Sequence, residues 1–89
     1  MEMEIFESVD DYIRDLVGLE DDILRATYNS TQEANIPPIS VSANQGKFLQ
    51  VLARTCNAKK ILEIGTLVGY STIWMARALP KNGRLISLE

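Results

Sequence analysis

Apolar residues recur at helical spacing through the first part of the chain. Val9, Tyr12, Ile13, Leu16 and Val17 fall at i, i+3, i+4, i+7 and i+8 and form one apolar face. Ser8 and Asp11 have the spacing of a capping box with Asp in place of Glu, and Gly18 supplies a stop, so a helix is predicted over about 8–18. A thinner face of Ile23, Leu24, Ala26, Tyr28 and Ala34 predicts a second helix over about 20–35. Glu20, Asp21 and Asp22 put negative charge at its positive end. Three adjacent acids on a helix do not converge on one ion, so the triplet is read as helix-start charge rather than as a metal site. Ile36-Pro37-Pro38 then interrupts the pattern as extended linker, because each proline disfavours helix at its predecessor. Ser42 and Gln45 form a second capping box. Phe48, Leu49, Val51, Leu52 and Cys56 supply the predicted buried face of a third helix over about 43–56. Gly46 in its first turn lowers helix propensity, which close packing or room for a ligand would explain.

The period changes at Lys60. Lys60 to Ile64 is a short apolar run rich in branched residues, a buried strand over about 60–64. Gly65 and Gly69 follow, then a helical pattern over about 71–79 with Ile73, Trp74, Ala76 and Leu79. Pro80-Lys81-Asn82-Gly83 has turn chemistry, and a second strand is predicted over about 84–89. Trp74 is read as core or interface packing. The order strand, glycine turn, helix, strand makes a parallel α/β unit. Two parallel strands with one crossover do not make a covered sheet, so the chain is expected to be the N-terminal part of a larger domain.

Composition narrows the chemistry. Hydrophobic residues are 46% and charged residues 24% of the chain, ordinary for a soluble globular protein. The net charge of −3 argues against a basic nucleic-acid surface. No signal peptide is expected from this sequence, and no apolar run in it approaches the ~20 residues of a membrane span. The chain has one cysteine, which excludes an internal disulfide and fits a reducing, cytoplasmic compartment. Cys56 is read as a core thiol. Histidine is absent, which removes any His-based acid–base pair and any Cys/His zinc site.

The glycine turn carries the ligand chemistry. Glycines allow close backbone approach, and a helix start offers unpaired N–H groups and a positive dipole end. A dinucleotide site shows G-x-G-x-x-G, whereas here Gly65 and Gly69 are spaced G-x-x-x-G, with Glu63 ahead of them. An acid at the strand end suits a cationic ligand, and Ser71 at the helix start suits a carboxylate. Glu89 closes the second strand about 20 residues past Gly69, where a nucleotide fold holds its ribose-binding acid.

The run Glu63-Ile64-Gly65-Thr66-Leu67-Val68-Gly69-Tyr70-Ser71-Thr72 resembles the S-adenosylmethionine-dependent class I O-methyltransferases. Met75-Ala76-Arg77-Ala78-Leu79-Pro80, Gly83-Arg84-Leu85-Ile86 and the upstream Pro37-Pro38-Ile39-Ser40-Val41-Ser42 with Gln45-Gly46-Lys47 share the likeness. The branch is that of the catechol and caffeoyl-CoA O-methyltransferases and their bacterial relatives, and the first helices are only loosely similar to it. The resemblance implies a Rossmann-like methyltransferase fold, with an N-terminal helical segment over 1–36 and the start of the S-adenosylmethionine-binding domain over 37–89. It implies that Glu63, Gly65 and Leu67 line the methionine side of the cofactor, Glu63 near its cationic end. Ser71 would bond its carboxylate, Ile39 and Val41 would close over that end, and Glu89 would hold the ribose. Gly69 and Tyr70 would shape the turn. It also implies a small hydroxyl acceptor, a homodimer, and a divalent metal such as Mg2+, whose ligands, like the catalytic base, have no counterpart here. Three rivals stay open: a tRNA hydroxyuridine O-methyltransferase, a nicotinamide oxidoreductase, and a helical docking or oligomerisation module without catalysis.

Overall fold

The computed structural model describes residues 2–37 and 39–89. Pro38, within the predicted linker, lies outside the described residues. The order is α1 (Glu2–Val17), α2 (Asp22–Glu33), α3 (Ala43–Thr55), β1 (Lys60–Ile64), α4 (Tyr70–Ala76) and β2 (Arg84–Leu88). β1 and β2 pair in parallel, with Lys60 opposite Arg84 and Glu63 opposite Ser87.

Local chemistry explains the helix ends. Asp21 caps α2 by accepting the Leu24 N–H at 3.0 Å. Ser42 and Gln45 form the predicted capping box of α3, with bonds of 3.2 and 2.8 Å. α2 and α3 both end with asparagine in the left-handed region, Asn35 at φ 55° and Asn57 at φ 52°. The Ile36 and Ala58 N–H groups then reach back to the Thr31 and Ala53 carbonyls, which satisfies carbonyls left over at each helix end.

Three expectations need correction. α1 starts at Glu2 rather than near Ser8, so the Ser8–Asp11 pair lies inside the helix and caps nothing. Glu2 and Glu4 supply the first-turn charge instead. α4 ends at Ala76 rather than Leu79. Pro80 disfavours helix at Leu79, and the Ala78 and Leu79 N–H groups tighten onto Met75 and Ala76 carbonyls. On α3 the buried residues are Gly46, Gln50 and Ala53, while Phe48, Val51, Leu52 and Cys56 are exposed. The small-residue stripe is the one that meets α4. A Cβ added to Gly46 would lie 2.2 Å from Trp74 Cδ1, so the glycine serves close packing.

The core sits where α2, α3 and α4 meet. Leu24 (0% exposed), Tyr70 (3%) and Trp74 (4%) form its centre, with Val41, Ala43, Val68 and Ile73 packed around them. α1 joins the rest through Asn44, whose amide donates to the Asp10 carbonyl and carboxylate, each at 2.7 Å. The apolar side chains of α1 remain exposed, among them Phe6, Val9, Tyr12 and Leu16. The two sheet faces differ. Ile61, Glu63, Leu85 and Ser87 lie on the face covered by α4, whereas Leu62, Ile64, Ile86 and Leu88 stand exposed on the other.

Candidate functional site

A cavity of about 220 Å³ opens at the C-terminal ends of the strands. The loop before α3 lends Ile39, Ser40 and Val41, the turn after β1 lends Gly65, Thr66 and Leu67, and α4 lends Tyr70 and Ser71. Glu89, just past β2, completes it. The turn is built from left-handed residues at alternate positions, Gly65 at φ 95°, Leu67 at φ 53° and Gly69 at φ 84°. A Cβ added at Gly65 or Gly69 would meet nothing within 4 Å. These glycines therefore answer to the backbone angle, not to crowding. Leu67 takes the same region without that freedom, at a cost of roughly 1–2 kcal/mol. Its N–H donates to the Glu89 carboxylate at 2.7 Å, which ties the turn to the end of β2.

Seven of the residues singled out in the sequence come together on this cavity: Ile39, Val41, Gly65, Leu67, Tyr70, Ser71 and Glu89. Glu63 and Gly69 do not line it. Gly69 is the N-cap of α4. The Glu63 side chain turns into the covered face of the sheet, where the residue is 9% exposed. There it accepts hydrogen bonds from the Ser71, Thr72 and Ser87 hydroxyls, the last at 2.7 Å. Burial alone would push this carboxyl up, but the three donors outweigh it and hold the group below the ordinary carboxylate value. Thr66 in turn bonds Ser87. Sequence reasoning passed over Ser40, Thr66, Thr72 and Ser87. Only Ser87 carried a usable signal, because parallel register puts it beside Glu63 on one face.

Tyr70 joins the cavity to the core. Its ring is buried and its hydroxyl donates to Glu20. Burial first, then the neighbouring carboxylate, pushes the phenol up to about 12. A larger cavity of about 430 Å³ opens at the other end of the strands, among Arg54, Lys59, Arg77 and Pro80. Cations there sit at the C-terminal ends of α3 and α4, where they offset the helix dipoles. Arg54 donates to the Arg77 carbonyl at 3.1 Å, so this second cavity is explained by capping.

The family model described as O-methyltransferase matches residues 14–89. The catechol O-methyltransferase of Niastella koreensis is 72% identical over 89 residues, covering 100% of this chain and 40% of that protein. The catechol O-methyltransferase of Mycobacterium tuberculosis is 50% identical over 74 residues, covering 83% of this chain and 33% of its own length. Among solved structures, the O-methyltransferase TomG of Streptomyces achromogenes, in complex with SAM, aligns with a TM-score of 0.90 at 49% identity. That alignment covers 98% of this chain and 39% of TomG. This chain therefore spans well under half the length of these relatives.

Proposed function

Because the chain belongs to the O-methyltransferase family, with the Rossmann-like fold of its solved relatives, we propose that its strand-end cavity holds S-adenosylmethionine and that the protein methylates a hydroxyl oxygen of a small, catechol-like acceptor. The observation that carries this reading is Glu89 at the cavity rim. Its carboxylate is exposed and bonded to the Leu67 N–H through one oxygen, which leaves acceptor capacity for the paired hydroxyls of a ribose. When bound, the cofactor supplies an electrophilic methyl group on a sulfonium. The residues here bind and orient it: Glu89 the ribose, the Gly65–Leu67 turn and the helix-start N–H of Ser71 the methionine part, since the Ser71 hydroxyl hydrogen goes to Glu63, and Ile39 and Val41 the covering loop. Residues 1–36 act as helical cover and 37–89 as the start of the cofactor-binding domain.

Among the described residues no group of three His, Cys, Asp or Glu side chains is gathered to hold a metal ion. The divalent metal implied by the resemblance is therefore assigned to none of them, and no step is routed through it. The exposed stripe of α1 supports a homodimer formed through that helix. Sedimentation as a strict monomer at high concentration would remove that assignment. No helix among the described residues is long and apolar enough to cross a membrane, and the lone cysteine supports a cytoplasmic setting. Calorimetry on the full-length protein tests the central reading: S-adenosylmethionine and its demethylated product bind, NAD does not, and labelled methyl appears on catechol. Tight NAD binding with none for S-adenosylmethionine would overturn it.

A further inference from the structure

Tyr70 is the first residue of α4 and a wall of two cavities. On one side lies the 220 Å³ cavity at the strand ends. On the other lies a cavity of about 180 Å³, walled in part by Asp10 and Arg14 of α1 and Tyr28 of α2. Leu24 and Trp74 hold the ring from the core, but it has open space on two sides, so packing alone does not fix its tilt. The hydroxyl supplies a further hold by donating to the carboxylate of Glu20, in the connection between α1 and α2. α4 is seven residues long, and Gly69 caps it without a side-chain hydrogen bond, so contacts from other elements must hold its first turn. Asp21, beside Glu20, reaches the opposite end, where its carboxylate accepts from Arg77 at 2.6 Å. Two neighbouring acids thus grip the two ends of α4, and of these two contacts only the Glu20 one involves a residue of the strand-end cavity.

We propose that Glu20 is a positioning residue for the cofactor cavity: by accepting the Tyr70 hydroxyl it fixes the wall that Tyr70 makes, so that the connection between α1 and α2 helps shape the site. The inference rests on the cofactor reading above and adds to it a residue that lines only the neighbouring cavity. The opposing account is that the bond merely satisfies a buried hydroxyl, in which case its loss would cost stability and leave affinity alone. A glutamine at this position keeps an oxygen that accepts from the phenol, whereas an alanine keeps none.

The test uses the full-length protein, with dissociation constants measured for S-adenosylmethionine and its demethylated product, and Tm measured without ligand. Variants are Glu20→Ala, Glu20→Gln, Tyr70→Phe and the double variant Glu20→Ala with Tyr70→Phe. Asp21→Ala is the control, since it removes the α2 cap and the Arg77 pair without touching Tyr70. Glu20→Ala and Tyr70→Phe should each raise both dissociation constants roughly tenfold, with the double variant no worse than either. Glu20→Gln should stay within about threefold of wild type. Asp21→Ala should lower Tm and keep wild-type affinity. A Glu20→Ala protein with lowered Tm and intact affinity would reduce the bond to a satisfied hydroxyl and overturn the proposal. So would a Glu20→Gln protein as weak as Glu20→Ala, additive effects in the double variant, or equal weakening by Asp21→Ala. Weakening by Tyr70→Phe alone would assign the hydroxyl to the ligand and overturn it as well. If Tyr70→Phe fails to fold, the two Glu20 variants decide: weak binding by alanine with near-normal binding by glutamine supports the proposal, and equal affinities overturn it. Wild-type protein that binds neither ligand would instead overturn the cofactor reading itself, and the role of Glu20 with it.

Discussion

Gly46→Ala is the sharpest test of how α3 meets α4. Gly46 is buried in the first turn of α3 and takes ordinary helical angles, so alanine has no backbone objection to the site. Alanine would by itself favour the helix by roughly 0.8–1 kcal/mol. The new methyl, however, would stand 2.2 Å from Trp74 Cδ1, 2.4 Å from Nε1 and 2.7 Å from Cγ. Carbon atoms rest at about 3.5–4.0 Å, so the indole must retreat by more than about 1 Å. It has little room to do so, being 4% exposed and packed with Leu24 and Tyr70. Overpacking of this kind costs about 1–3 kcal/mol, which exceeds the propensity gain. An approach of 2.2 Å puts the cost at the upper end of that range, so the net loss after the propensity gain is about 2 kcal/mol, or several degrees in Tm for a domain of this class. Urea unfolding followed by Trp fluorescence measures it, with the emission of Trp74 reporting the displaced ring. A Gly46→Ala protein as stable as wild type, with unchanged emission, would refute the close approach of α3 and α4.

Other outcomes follow from the same contacts. Glu89→Gln keeps an oxygen for the Leu67 N–H but loses charge at the rim, so the dissociation constant for S-adenosylmethionine should rise about ten- to a hundredfold, with the ligand-free Tm near normal. A sharp drop in that Tm with affinity intact would make Glu89 a structural acid. Glu63 is held below its ordinary value of 4.5, so its contribution to stability is full above that pH and is lost as pH falls through the lowered folded-state value. Tm against pH should therefore fall more steeply on the acid side in wild type than in Glu63→Gln, and parallel curves would count against the hydroxyl cage. Leu24→Ala, at a large side chain with no exposure, should cost about 2–5 kcal/mol in urea unfolding, and a loss below about 1 would show that Leu24 is not enclosed.

The sequence was most legible where the physics is local. The capping box at Ser42 and Gln45 specifies α3's start to the residue, and the branched run from Lys60 specifies β1. The same logic misled at Ser8 and Asp11, because a cap signal cannot register that Glu2 to Glu7 already favour helix upstream. On α3, periodicity marked the bulky stripe but not its partner. The bulky stripe looked like the core, yet only the Gly46, Gln50 and Ala53 stripe lets Trp74 come close. At the cavity, the glycine spacing announced the turn, but nothing in a leucine announces a left-handed backbone at Leu67. Of the partners of Glu63, Ser87 needed only the parallel register of the two strands, whereas Ser71 and Thr72 depended on how α4 sits over the sheet, which sequence spacing alone does not set.

The three left-handed residues at 65, 67 and 69 have a kinetic consequence. The Leu67–Glu89 bond holds Leu67 in a backbone region it would otherwise leave, and so ties the turn to the end of β2. A turn held in this way is formed before a ligand arrives, so its residues are expected to act on dissociation more than on association. Substitutions around the rim should then leave arrival almost unchanged and act on residence time, and a stopped-flow series would resolve the variants by their dissociation phases.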